Sequence, residues 1–424
     1  MKSLLKEKIL HSGIIFTALS FVVGAGNFYF QRIMGTALKQ SGEYGAFRTT
    51  VVFVNLLGLP MLMASMAVIH HIAHFRGIAN EARLNGLLVG CRSFLLKFTI
   101  VACVLGLVLI QPLSRYFEIP RASLTLAALV SLIIALWSGY AGALAQGMGW
   151  FKRLALIGLV GVIVKLIFVA AITRRHPIAE VGVLAVALGA LLNVSMFIWW
   201  RNLFKPGERI SPWDRDFFRY LAVAAAGVGA QWCFTQSDML VAGKYFTDAD
   251  RDAYGAAVTI AGALHLAVSP LLAVLFTARS SERAGKTLAG PIGLLLLYAA
   301  GLATGALVLF FARDLCVKFI FGQPSPASSA MIARLAITMI FAGLIQALGM
   351  WALASHWLKM GLLYGALGVA YWATLLIVAR QTTPRGTHLN PATLLNLMPV
   401  IAAACFAVMF ITWVVTLRRG RARG

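Results

Sequence analysis

Twelve apolar runs, each long enough to cross a bilayer as a helix, govern what this chain can fold into. They fall near residues 10–36, 48–72, 94–112, 122–145, 154–173, 178–200, 219–243, 253–277, 288–312, 328–350, 357–379 and 394–417. A membrane asks for about 20 consecutive apolar residues per helical crossing, and each crossing must satisfy its own backbone hydrogen bonds. Only 12% of the residues are charged against 60% apolar, too little polar surface for a water-soluble chain of 424 residues. The expected fold class is therefore an all-α integral membrane protein of about twelve transmembrane helices. Lys2, Lys6 and Lys8 lead into an apolar stretch reaching about Leu38. That stretch is too long for a secretory signal and has no small-residue cleavage site, so it reads as the first helix with a cytoplasmic start.

The formal charge of +23 raises the question of nucleic acid. Counting by alternate loops answers it. With the N-terminus inside, 22 of the 37 Lys and Arg residues lie on the inner side, while Lys165 sits within a span. That bias sets topology, with both termini cytoplasmic, and attracts anionic headgroups, which leaves nothing for nucleic acid to explain. Cys91, Cys103, Cys233, Cys316 and Cys405 form no CxxC pair and have apolar neighbours. They read as small core residues, not disulfides or metal ligands.

The longest connection, "RNLFKPGERISPWDRDFF", carries Pro206, Gly207 and Pro212. Proline and glycine break helices, so this is a linker. It divides the chain into an N-terminal six-helix lobe (1–205), a cytoplasmic linker (206–216) and a C-terminal six-helix lobe (217–424). The halves echo each other. Tyr44-Gly45-Ala46 recurs as Tyr254-Gly255-Ala256, and Pro60 and Pro270 follow the two tyrosines at the same distance. Upstream, "GAGNFYF" at Gly24 faces "GVGAQWCF" at Gly227, with the extra residues of the second copy in "TDADRD". Together these point to internal duplication. An even helix count per half makes the copies parallel repeats, the arrangement from which a central cavity and alternating access are built. The two tyrosines read as starts of helices two and eight at the outer interface, where aromatic rings sit well.

Several stretches carry a family resemblance: "SGEYGAF" after the first helix, "YFEIP" at 116–120, "AQGMGWFKRLALIGLVGVIVKL" at 145–166, and "SDMLVAGKYFTDADRDAYGAA" at 237–257. The chain resembles the Wzx-type flippases of the multidrug/oligosaccharidyl-lipid/polysaccharide exporter superfamily. The resemblance implies two six-helix lobes that flip an undecaprenyl-pyrophosphate-linked glycan from the cytoplasmic to the periplasmic leaflet of the bacterial inner membrane. Lipid-linked glycan and membrane lipids are the partners it implies, alongside a polysaccharide polymerase and glycosyltransferases. Lipid II flippases of the same superfamily usually carry two further helices and an arginine-rich first helix. This chain has Asn27 and Gln31 there instead, which argues against that subfamily.

Polar groups at membrane depth are expensive, and each is a functional candidate. Asn27 and Gln31 share one face of helix one; Gln231 and Thr235 share one face of helix seven, with Asp238 three residues further on. Asn27 and Asp238 each lie roughly 26 Å along their helices, so parallel lobes would bring them together in the outer half of the cavity. The alternative is that these groups tie helices together. Asp238 stands deep in its span, where a carboxylate could titrate with protons, coordinate Na⁺, or pair with a cation such as Arg32. Lys165, near the middle of helix five, suits a pyrophosphate in transit; snorkelling or pairing with Asp238 is the alternative. Arg32 and Arg48 lie at outer ends of spans, where a flipped pyrophosphate would arrive. Arg174 and Arg175 suit headgroup contact.

The remaining motifs carry less. His70, His71 and His74 lack an acidic companion and read as a basic interfacial cluster. Asp248, Asp250 and Asp252 alternate in "TDADRD" and read as a solvated turn. No phosphate loop is present, so ATP is not the direct energy source, and no outer loop is long enough for a catalytic domain. The expectation is a transporter, not an enzyme, without a cofactor or metal, coupled to H⁺ or Na⁺. A cation-coupled multidrug extruder of the same superfamily is the competing reading.

Overall fold

The computed structural model describes residues 19, 22–38, 41–77, 80–116, 121–195, 210–211, 213–280, 289–322, 325–355, 357–383 and 387–421. The basic start of helix one, most of "YFEIP" and most of the inter-lobe linker lie outside the described residues. Among the described residues there are twelve helices and no strand. They are α1 (residues 22–38), α2 (Tyr44–Gly77), α3 (Glu81–Tyr116), α4 (Ala122–Gly147), α5 (Phe151–Ile172), α6 (Ala179–Val194), α7 (Arg215–Tyr245), α8 (Asp248–Ser280), α9 (Ala289–Phe321), α10 (Pro326–Ala354), α11 (Leu358–Thr382) and α12 (Pro391–Arg421). Eight of them, α2 to α5 and α9 to α12, are long and apolar enough to cross a membrane, so the chain is a multi-pass membrane protein.

The helices overrun the apolar windows that predict them. α2 extends the expected 48–72 in both directions, because polar residues at a helix end reach water without breaking it. Chain reversals fall on glycines that accept a left-handed backbone. Gly149, at φ 70°, ends the "QGMG" turn after α4, where the Trp150 N–H donates to the Ala145 carbonyl at 2.8 Å. Arg76, near the end of α2, donates to the Met148 carbonyl of the same turn and complements the negative end of α4.

The chain forms two compact units. Unit 1 holds Met1–Ala37 and Phe53–Ala222; unit 2 holds Leu38–Val52 and Val223–Gly424. The first turns of α2 thus belong to unit 2, and the start of α7 belongs to unit 1. Within unit 1, α4 packs on α3, α5 and α6, and α5 packs on α6. Within unit 2, α10 packs on α9, α11 and α12, and α11 packs on α12. These four pairings of unit 1 recur in unit 2 at a six-helix offset, as an internal duplication would give, and in unit 2 α8 packs in addition on α9 and α10. Small residues permit the closest approaches. A Cβ on Gly161 of α5 would lie 2.7 Å from the Gly189 carbonyl oxygen of α6, so only glycine fits that crossing.

In unit 1 the core runs along α4, where Leu136, Tyr140 and Leu144 recur at helical spacing against α2 and α3. The same core corrects the reading of the histidines. His71 is buried, with its ring 5.0 Å from Phe217, and His70 stacks on Tyr220 at 4.2 Å. They join the start of α7 to α2 as aromatic packing, His71 turned into the core and His70 partly exposed. The His74 side chain lies outside the described set.

Candidate functional site

Two polar sets emerge, one in each unit. In unit 1, α1 and α5 cross closely at Gly26, where a Cβ would lie 2.3 Å from a Val162 methyl. This crossing brings Lys165 against α1. Its ammonium donates to Asn27 Oδ1 and sits 4.4 Å from the centre of the Phe30 ring. Lys165 is only 8% exposed, and no carboxylate among the described residues pairs with it. A buried ammonium held by a neutral amide and a ring face keeps its charge available to an anion. Gln31, one turn beyond Asn27, is partly buried. Arg32 is exposed, with its guanidinium 5.8 Å from the Tyr29 ring.

In unit 2 the acid of α7 meets the second tyrosine of the repeated motif. Asp238 is 1% exposed, and the Tyr254 hydroxyl donates to its Oδ2 at 2.6 Å. Among the described residues, its buried Oδ1 has no hydrogen-bond partner, nor has the nearby Tyr371 hydroxyl. The Arg48 guanidinium acts on Asp238 electrostatically from α2. The stem of Arg48 lies along α8, with its Cγ 3.4 Å from where a Cβ on Gly255 would stand. Gln231, also on α7, is partly buried and its backbone carbonyl accepts from the Thr235 hydroxyl at 2.8 Å. The seven sequence candidates therefore divide as Asn27, Gln31, Arg32 and Lys165 in unit 1, and Arg48, Gln231 and Asp238 in unit 2. Asn27 meets Lys165, and Arg48 acts on Asp238.

Both motif tyrosines are fully buried, which overturns their reading as interfacial anchors. Tyr44 pairs through its hydroxyl with Thr259 Oγ1 at 3.2 Å, and Tyr254 serves Asp238. A phenol that can end on a polar partner gains more from burial than from the interface. Of the aspartates of "TDADRD", Asp248 stays in solvent as expected, its side chain 81% exposed, but all three are engaged at the start of α8 or across to α2. Asp250 accepts from Thr247 at the start of α8, Asp248 holds the buried Arg251 at 2.5 Å, and Asp252 Oδ1 accepts the Gly45 N–H at 2.5 Å. Asp252 thus caps α2 from a neighbouring helix, satisfying one of the donors a helix start leaves open.

Asp252 lies ahead of the apolar part of α8. Burial pushes its carboxyl up to about 6, partly opposed by the Gly45 N–H and Arg251, while Asp248 and Glu43 add to the rise. An unfolded chain ionises aspartate near 3.9. Between about pH 6 and pH 4 the folded state therefore holds a proton that the unfolded state has released, so this group's contribution to stability grows as pH falls through that window. Asp252→Asn should flatten that part of the curve in detergent melts taken from pH 4.5 to 7.5. An unchanged slope in the variant would refute the assignment.

Sequence reasoning passed over Glu180, a second acid within a predicted span. It is buried at the start of α6 and accepts from Arg121 at 3.2 Å and Ser123 at 2.6 Å, tying α6 to α4. Its place in the first turn of its helix was the available signal. Tyr371 gave no signal, because a lone tyrosine in an apolar run looks like core.

No known family model matches the sequence, and no curated protein matches it. Solved structures do. The lipid II flippase MurJ in an inward closed conformation superposes with a TM-score of 0.69 at 12% identity, covering 94% of this chain and 87% of that one. An inward-facing multidrug resistance MATE family transporter of the MOP superfamily gives 0.66 at 12% identity, over 97% and 98%. A MOP superfamily transporter from Pyrococcus furiosus, described as having a binding pocket of reverse polarity, gives 0.61 at 13%, over 96% and 95%. The chain has the fold these transporters share.

Proposed function

We propose that the protein is a membrane transporter that flips an undecaprenyl-pyrophosphate-linked oligosaccharide from the cytoplasmic to the periplasmic leaflet of a bacterial inner membrane, by alternating access of its two six-helix lobes. The observation that carries this reading is Lys165. A cation buried mid-span without a carboxylate is costly unless something anionic visits it. An ammonium, as a compact point charge, suits a pyrophosphate that must bind in passing and leave. Asn27 orients it, and Gln31, Gln231, Arg32 and Arg48 supply further polar contacts along the route. Asp238 carries the coupling ion, H⁺ or Na⁺, with Tyr254 holding one carboxylate oxygen. Both termini are cytoplasmic, the chain has no enzymatic step, and a polymerase and glycosyltransferases act beside it.

A cation-coupled multidrug extruder is the second reading, favoured by the fold of the MATE transporters and by the same acid on α7. Deletion separates the two. A flippase deletion loses the surface glycan and traps its lipid-linked precursor in the cytoplasmic leaflet, with drug accumulation unchanged. Raised drug accumulation with normal glycan would replace our reading by the extruder. In the same strain, Asp238→Asn should reduce export about tenfold or more with normal membrane levels, since the variant keeps an acceptor for Tyr254 but loses the charge. Wild-type export from that variant would remove Asp238 from the coupling role.

A further inference from the structure

Unit 1 contains a cavity of about 100 Å³ unrelated to the Lys165 set. Its walls come from Met61 and Ala64 of α2, Cys91 of α3, Tyr140 of α4, and Phe217 and Leu221 of α7. The one hydroxyl among these is turned away, donating to the Leu88 carbonyl at 2.9 Å. A space so lined stays dry and accepts hydrocarbon.

The mouth is aromatic and open. Phe94 is 58% exposed and Phe218 54%. Trp213 stands between them, 6.4 Å from Phe94 and 6.3 Å from Phe218 by ring centres. Beyond Phe94, α3 continues as an outward apolar face through Val101, Leu105 and Val108, each more than half exposed. In a membrane protein such a face meets lipid tails, so the mouth opens on the bilayer. Basic side chains flank it: Arg92 and Lys97 on α3, and Arg215 and Arg219 on α7, all exposed. The nearby Asp214 is engaged by Arg83 at 4.0 Å. An apolar slot with a tryptophan at its lip and a basic rim has the layout of an amphiphile with an anionic head.

We propose that this slot takes a segment of a few methylenes from one acyl chain of an anionic phospholipid, whose headgroup rests on Arg215 and Arg219. The occupant is a membrane lipid in residence and not the transported molecule, because the mouth faces the lipid-exposed side of α3. A resident lipid would brace the start of α7 against α2 and α3, where the histidine and tyrosine rings already meet.

The full chain should be reconstituted in vesicles with phosphatidylglycerol bearing a diazirine in one acyl chain, or with phosphatidylcholine bearing the same chain. After illumination, adducts are mapped by mass spectrometry. Labelling of the peptides around Phe94 and Trp213–Leu221 should favour phosphatidylglycerol by at least about fivefold. Arg215→Gln with Arg219→Gln should bring the two lipids close to parity. Ala64→Phe, which fills the slot, should remove the adducts while labelling at Val400 of α12 persists. Equal labelling by the two lipids, or labelling at the mouth no stronger than at Val108, would overturn the site. Should Ala64→Phe fail to fold, the arginine pair decides. Loss of the adduct when an equimolar polyprenyl pyrophosphate is present before illumination would overturn the phospholipid assignment in favour of a substrate-type tail.

Discussion

Replacing Lys165 with methionine should abolish glycan export while leaving the protein at least as stable as before. The two halves of this expectation have one cause. Lys165 is 8% exposed and its hydrogen bond goes to the neutral oxygen of Asn27, so its charge is carried in the fold without a compensating carboxylate among the described residues. Methionine keeps the length of the stem and its contact with Phe30, and relieves the cost of the buried ammonium. Stability measured as a detergent melt should hold or rise. Export should fall at least about thirtyfold, the lower end of what is lost when one member of a buried charge pair is removed. Lys165→Arg should not restore it, because a planar fork cannot reproduce a point charge in the space beside Gly189. Asn27→Ala should give an intermediate defect by freeing the ammonium to turn. Normal export from Lys165→Met, with normal amounts in the membrane, would remove Lys165 as a substrate contact. A large loss of stability would instead make it a structural strut.

The one-dimensional pattern reached far here, and its limit can be located. Length, apolar runs and loop charge predict a multi-pass helical protein, and the six-helix offset of the packing pairs agrees with the repeated tyrosine motif. Hydropathy reports how deep a residue lies, but not which way its helix is rotated. That is why Asn27 and Lys165, 138 residues apart, could be named separately but not joined. It is also why Tyr44 and Tyr254 looked like interfacial rings, when their hydroxyls end on Thr259 and Asp238. Depth placed "TDADRD" in water. Only three-dimensional packing turns Asp252 toward the start of α2, and His71 toward Phe217. Rotation and register are set by side-chain volumes on several neighbours at once, and a single sequence does not display them.

The two glycines of the repeated motif should respond differently to the same mutation. Gly45→Ala should lower the melting temperature by several degrees, and Gly255→Ala should leave it nearly unchanged. A Cβ on Gly45 would stand 2.6 Å from Arg251 Cγ, 2.8 Å from the Arg251 carbonyl carbon and 2.8 Å from Asp252 Oδ1. None of these can retreat cheaply. One is backbone, and Arg251 is 5% exposed and held by Asp248 at 2.5 Å. The third is the acceptor of the Gly45 N–H itself, so separating the helices also lengthens that hydrogen bond. Overpacking costs about 1–3 kcal/mol, and a hydrogen bond to a charged group contributes about 1.5–3 kcal/mol. At Gly255 the nearest atoms are Arg48 Cγ at 3.4 Å and the Met239 methyl at 3.5 Å, flexible side chains at ordinary contact distance. There alanine's better helix propensity offsets what little crowding it brings. Gly58→Ala, on α2 where a Cβ meets nothing within 4 Å, controls for the effect of losing a glycine from that helix. Equal melting of the Gly45 and Gly255 variants would show that the repeated motif is held symmetrically, and that the cap from Asp252 does not anchor the start of α2.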